Sequence, residues 1–159
     1  MKIEIQTIPN NSQRYPTVGD WWYEEENGLR EGTLQIRVSE FEDPRYSMGV
    51  IIHEIFEAFA AWANHISEPE VTKFDLWFEK QDKAGLLPKS LDEPGMHPKC
   101  PYNVEHQYAT SAEMTLITLL GCNWWEYGEA VSKMSEEQNI PTLKVDADGN
   151  GKGDVDANL

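Results

Sequence analysis

The chain has 159 residues, 40% hydrophobic and 11% aromatic, enough apolar material for one folded core and too much for a disordered segment. Twenty-eight Asp and Glu against 13 Lys and Arg give a formal charge of −15, which argues against direct contact with DNA or RNA and suits cation binding, a basic protein partner or imitation of DNA. No apolar run is long enough to span a bilayer and "MKIEIQTIP" lacks the apolar segment of a signal peptide, so a cytoplasmic protein without membrane contact is expected, with Cys100 and Cys122 reduced.

"KIEIQTI" alternates apolar and polar residues at period two and reads as a strand ended by Pro9 and Asn10. Further strands are expected around "DWWYEEE" and in "GTLQIRVSE", where Leu34, Ile36 and Val38 share a face. The turn signal Asn27-Gly28 between these two predicts a small antiparallel sheet.

After "EDPRYS" the period changes to about 3.6, and Val50, Ile51, Ile55, Phe59 and Trp62 predict a helix over residues 47–64. Ser67 with Glu70 forms a capping box opening a second helix, through Phe74, Trp77 and Phe78 to a stop at Gly85. Residues 85–101 hold four prolines and two glycines and read as an ordered loop. A third helix is expected from Tyr102 to Leu120, and Asn123 with Glu126 caps a fourth over residues 124–138. The fold class is therefore α+β, a small antiparallel sheet followed by three or four helices in one domain over residues 1–143.

Residues 144–159 form an acidic, glycine-rich tail. Asp146, Asp148, Asn150 and Asp154 take positions one, three, five and nine of a calcium loop, with Gly151 at six, but Ala157 stands where the bidentate Glu belongs. A surface tail is the favoured reading, and Ca2+ binding the alternative.

The chemistry concentrates in "HEIFEAFAAW", residues 53–62. Residues four apart on a helix share a side, so His53 and Glu57 can reach one ion while Glu54 sits about 100° round the axis. Apolar residues surround these three nearly all the way round, which predicts a largely buried helix whose charges must be paired or bound to a metal. Zn2+ accepts imidazole and carboxylate ligands, and three protein ligands leave a position for a water whose proton Glu54 could take.

His106, in "YNVEHQYATSAEM", is the preferred third ligand; Glu113, two turns later on the same face, is the alternative ligand or a carboxylate that orients an imidazole. Asp75 is either a second partner behind a ligand histidine or an exposed edge residue, with the exposed reading favoured. His97, Cys100 and His106 form a minor rival zinc cluster that matches no strong finger spacing. Dinucleotide, Walker and nucleophile-elbow motifs are missing, and the pairs Trp21-Trp22 and Trp124-Trp125 read as core edges.

A strand "GTLQIRVSE" followed by a helix bearing "HEIFE" resembles the core of zincin-type metallopeptidases. The resemblance implies a zincin-like fold, His53 as first ligand, Glu54 as general base, and a substrate peptide along the sheet edge, placed here against residues 33–38. Glu57 stands where that superfamily normally has its second His, and a carboxylate neutralises more of the ion's charge. The segments "DWWYE", "IRVSE", "HEIFEA", "FDLWFE" and "YNVEHQYATSAE", within residues 19–127, also resemble a group of small uncharacterised bacteriophage proteins. That likeness implies a phage origin, action inside a bacterial host, and joint use of His53, Glu57 and His106.

Two functions follow as expectations. One is a zincin-like zinc protein that acts as a peptidase; the other is a non-catalytic acidic phage protein that binds a host protein, with a structural metal or none. The sequence leaves the oligomeric state open.

Overall fold

The computed structural model describes residues 2–24, 32–91 and 93–137. The expected turn at Asn27-Gly28 and the tail with Asp146, Asp148, Asn150 and Asp154 lie outside the described residues. The architecture is α+β: a three-stranded sheet followed by four helices.

The strands are β1 (Lys2–Ile8), β2 (Gly19–Tyr23) and β3 (Thr33–Ser39), in the order β1-β3-β2. The expected antiparallel pairing holds for β2 and β3, which register from Gly19↔Val38 to Tyr23↔Leu34. In contrast, β1 joins the far side of β3 in parallel, from Lys2↔Thr33 to Ile8↔Ser39, so the sheet is mixed. A parallel pair needs a crossover connection, and the chain through β2 supplies it. This order corrects the expected peptide position at residues 33–38: β3 is hydrogen-bonded on both sides and has no edge to offer.

Leu34, Ile36 and Val38 are fully buried beneath α1 (Pro44–Ala63), which turns Val50, Ala58 and Ala61 into the same cluster. Asp43 caps α1 by accepting the Arg45 N–H at 3.0 Å, and Pro44 takes a first-turn position where no N–H is needed; the helix therefore starts before residue 47. α2 (Glu68–Lys83) opens with the expected capping box of Ser67 and Glu70. A short 3-10 turn at Pro94–Met96 interrupts the proline-rich loop. α3 (Asn103–Leu119) and α4 (Trp124–Glu136) follow, with the Asn123 side chain accepting from the backbone of Trp125 and Glu126.

α3 runs antiparallel along α1. At one end Gly49 lets Ile117 pack so closely that a Cβ there would collide with it, and at the other Asn64 Nδ2 donates to Glu105 Oε1 at 2.8 Å. The expectation that α1 is buried all round fails on one side: Met48 and Phe56 are each 48% exposed and Trp62 62%. Among the described residues the sheet and α3 cover two of its faces, and Tyr127 of α4 packs against Tyr46 and Gly49 near its start, leaving this side open. Among the described residues, no helix is long and apolar enough to cross a membrane.

Candidate metal centre

Facing turns of α1 and α3 bring His53, Glu57 and His106 together, although 49 residues separate Glu57 from His106. His53 Nε2 lies 3.1 Å from His106 Nδ1 and 3.5 Å from Glu57 Oε2, and His106 Nδ1 lies 3.0 Å from the same oxygen. Two imidazole nitrogens and a carboxylate oxygen thus converge on one point. Ligand atoms about 2.0–2.1 Å from a tetrahedral zinc ion are separated by about 3.3–3.4 Å, and the three distances bracket that value. Among the described residues, this is the group of His, Cys, Asp and Glu whose atoms converge in this way.

Two of the three ligands are held from behind by hydrogen bonds. The other nitrogen of His53, Nδ1, faces Glu113 Oε2 at 2.8 Å; an ionised carboxylate only accepts, which makes Nδ1 an N–H, so that in the neutral ring Nε2 is the nitrogen with a lone pair for an ion. Glu113 Oε1 in turn accepts the Tyr127 hydroxyl of α4. The second oxygen of Glu57, Oε1, accepts Trp21 Nε1–H from β2 at 3.0 Å. His106 Nε2 is buried without a hydrogen-bond partner, and Glu93 Oε2 stands 3.6 Å away, just beyond reach. An N–H on that atom leaves Nδ1 free to ligate, which satisfies the tautomer rule for metal-bound imidazole.

The electrostatics of the ion-free chain reflect this crowding. Burial opposes charge on His53, but Glu113 and Glu57 raise it well above the usual imidazole range. Burial likewise works against a charged His106, yet Glu57 and Glu93 lift it to about 9. Glu57 would be raised by burial, but its contacts with His106 and His53 hold it down to about 2. Without an ion, protons supply the positive charge that this carboxylate requires.

Glu54 is buried on the same helix, with its carboxyl against Gly19. A side chain at position 19 would collide with Glu54 Oε1. Burial pushes Glu54 well above the carboxylate range. On the opposite wall Gly95 presses its backbone against the His106 ring, leaving no space for a Cβ, and its carbonyl accepts Asn103 Nδ2 at 2.7 Å.

Several expected residues fall elsewhere. Glu113 lies behind His53, in the position of a carboxylate that orients an imidazole rather than at the convergence point. Asp75 touches neither histidine; it accepts the Tyr102 hydroxyl, with Tyr15 Oη 3.5 Å away, and burial raises it to about 8. Asp75 is half-buried, and its carboxyl is engaged by tyrosine hydroxyls rather than set on an exposed edge. His97 and Cys100 do not join His106: the His97 ring packs against Phe74, Trp77 and Phe78, and its Nδ1 accepts the Lys99 N–H. Trp21 faces the core, while Trp22 faces away beneath the guanidinium groups of Arg14 and Arg37.

Trp21, Glu93 and Tyr127 escaped the sequence reading. An aromatic or acidic residue far along the chain carries no signal of the ligand it will touch. Compared with known proteins, the chain matches no family model, no curated protein and no solved structure.

Proposed function

We propose that the protein binds one zinc ion through His53 Nε2, Glu57 Oε2 and His106 Nδ1 and uses it to hydrolyse peptide bonds. The observation that carries this reading is the convergence of three ligand atoms 3.0–3.5 Å apart, with hydrogen-bonded groups behind His53 and Glu57 and Glu93 3.6 Å from the far nitrogen of His106. Surface clusters of acidic groups arise by composition alone, but a buried set with oriented tautomers has a strong electrostatic need for a cation.

Zinc, when bound, supplies Lewis acidity toward a carbonyl and toward water. The chain's own residues do the rest. Glu113 and Trp21 hold His53 and Glu57 in place. Glu54, one residue from the first ligand, takes the proton of the attacking water and hands it to the departing amine. Added positive charge nearby makes Glu54 ionise more readily than in the ion-free chain. An extended peptide pairs with β2, the edge strand beside α1, rather than with β3. The resemblance of its sequence segments to phage proteins supports a site of action inside a bacterial host.

A second reading has its own support. The side chains of His53, Glu57 and His106 are only 12%, 8% and 7% exposed, and zinc sites closed to solvent are structural. On that reading the protein is non-catalytic and its acidic surface engages a host protein. Elemental analysis of Glu54→Gln and His53→Ala, combined with cleavage of a labelled peptide mixture, separates the two. A peptidase keeps its zinc and loses turnover as Glu54→Gln, and loses both as His53→Ala. Bound zinc with no cleavage by the wild type supports the structural reading, and no zinc in any preparation removes both metal readings.

A further inference from the structure

A helix that is apolar all round belongs in an interior, yet one long side of α1 meets solvent. Between Tyr46 and Ala63 the only charged or imidazole side chains are His53, Glu54 and Glu57, and all three turn inward to the centre or the sheet. The opposite side presents Met48, Phe56, Phe59 and Trp62, which are 36–62% exposed. α3 repeats the pattern. Its only carboxylates, Glu105 and Glu113, are buried, while Tyr108 and Leu119 are 69% and 81% exposed. Since the two helices lie side by side and antiparallel, their solvent faces form one broad surface to which, among the described residues between Tyr46 and Ala63 and in α3, no exposed charge contributes.

That surface stands out on a chain in which 26% of residues are charged. Aromatic side chains carry about 150–250 Å² each, so the exposed fractions of Phe56, Phe59, Trp62 and Tyr108 alone amount to roughly 300–500 Å². This already reaches the size of the largest patch on an ordinary monomer. With Met48, Leu119 and the uncharged residues between them, the face approaches the roughly 800 Å² per partner of a stable interface.

We infer that this face is the interface of a homodimer, in which α1 and α3 of one copy pack on α1 and α3 of another. A two-fold interface must tolerate itself, since every group meets its own symmetry mate's surroundings. At a charge of −15 the rest of the surface repels a second copy, whereas a face without charges brings no like charge against itself. Depletion of charge and enrichment in aromatic residues and Met are also what distinguishes the core of such interfaces. This inference is independent of zinc and of catalysis.

Sedimentation velocity of the full chain at micromolar concentration tests it. A particle of twice the 18.2 kDa chain mass is expected, and its dimer fraction should rise with salt as the repulsion between acidic copies is screened. Phe59→Glu and Tyr108→Glu, on different helices, should each shift the equilibrium at least tenfold toward monomer while circular dichroism stays unchanged. Ile5→Glu, at an exposed apolar position on β1, should leave the dimer intact. A wild-type monomer at 100 μM overturns the inference, as does a dimer split by Ile5→Glu but not by the helix variants. Failure to dimerise together with capture of residues 138–159 or a foreign peptide on this face overturns it equally.

Discussion

Tyr127→Phe is the most informative single change, because it removes one oxygen and tests whether the groups behind the ligands govern ion binding. The ring is 1% exposed, and its hydroxyl donates to Glu113 Oε1, whose other oxygen holds His53 Nδ1. Phe fills the same space, so packing loss is small. A hydrogen bond to a charged acceptor is worth about 1.5–3 kcal/mol, which for a chain of this size lowers the melting temperature by roughly 3–12 °C in the presence of chelator. Loss of such a partner also weakens metal binding by about 10–100-fold. At a fixed excess of zinc that removes a further 1.4–2.7 kcal/mol, roughly, of ligand stabilisation. Wild type and variant should therefore differ more in zinc than in chelator when melted side by side, and titration calorimetry should give the same affinity ratio. An equal drop in both conditions would mean that Tyr127 only supports the core, and the chain Tyr127–Glu113–His53 would lose its role.

Other consequences are as specific. Gly95→Ala places a methyl group against the His106 ring, so the turn at Pro94–Met96 or the ring must move; a stability loss of about 1–3 kcal/mol with weaker zinc binding is expected, read by melting and metal content. Asp75, raised from 3.8 to about 8, contributes stability that is full below about pH 4 and is lost as pH rises toward 8. Chelated wild type should therefore lose at most about 1.4 kcal/mol per pH unit from this group over that window, and Asp75→Asn should flatten that slope in denaturant titrations at several pH values.

Local signals carried most of the helical layout. The Ser67-Glu70 capping box, the Asn123 cap and the 3.6 period each depend on residues within a turn or two of one another. His53 and Glu57 were legible for the same reason, since a four-residue spacing fixes a shared side. His106 could be named because imidazoles are few, with four in the chain. The parallel pairing of β1 with β3 was not legible, because strand order depends on a crossover and not on the alternation within either strand. Nor could the sequence tell which side of α1 would stay uncovered: apolar residues at every angle specify burial but not what does the burying. Trp21, Glu93 and Tyr127 reach the centre from β2, a loop and α4, and only the packing of those elements places them.

X-ray absorption at the zinc edge of the loaded protein bears most directly on the centre. A first shell of nitrogen and oxygen at about 2.0–2.1 Å, with the outer scattering of two imidazole rings that falls to one in His106→Ala, is the expected result. A sulfur neighbour at about 2.3 Å, or imidazole scattering unchanged in that variant, would contradict the assignment of His53, Glu57 and His106 as the ligands.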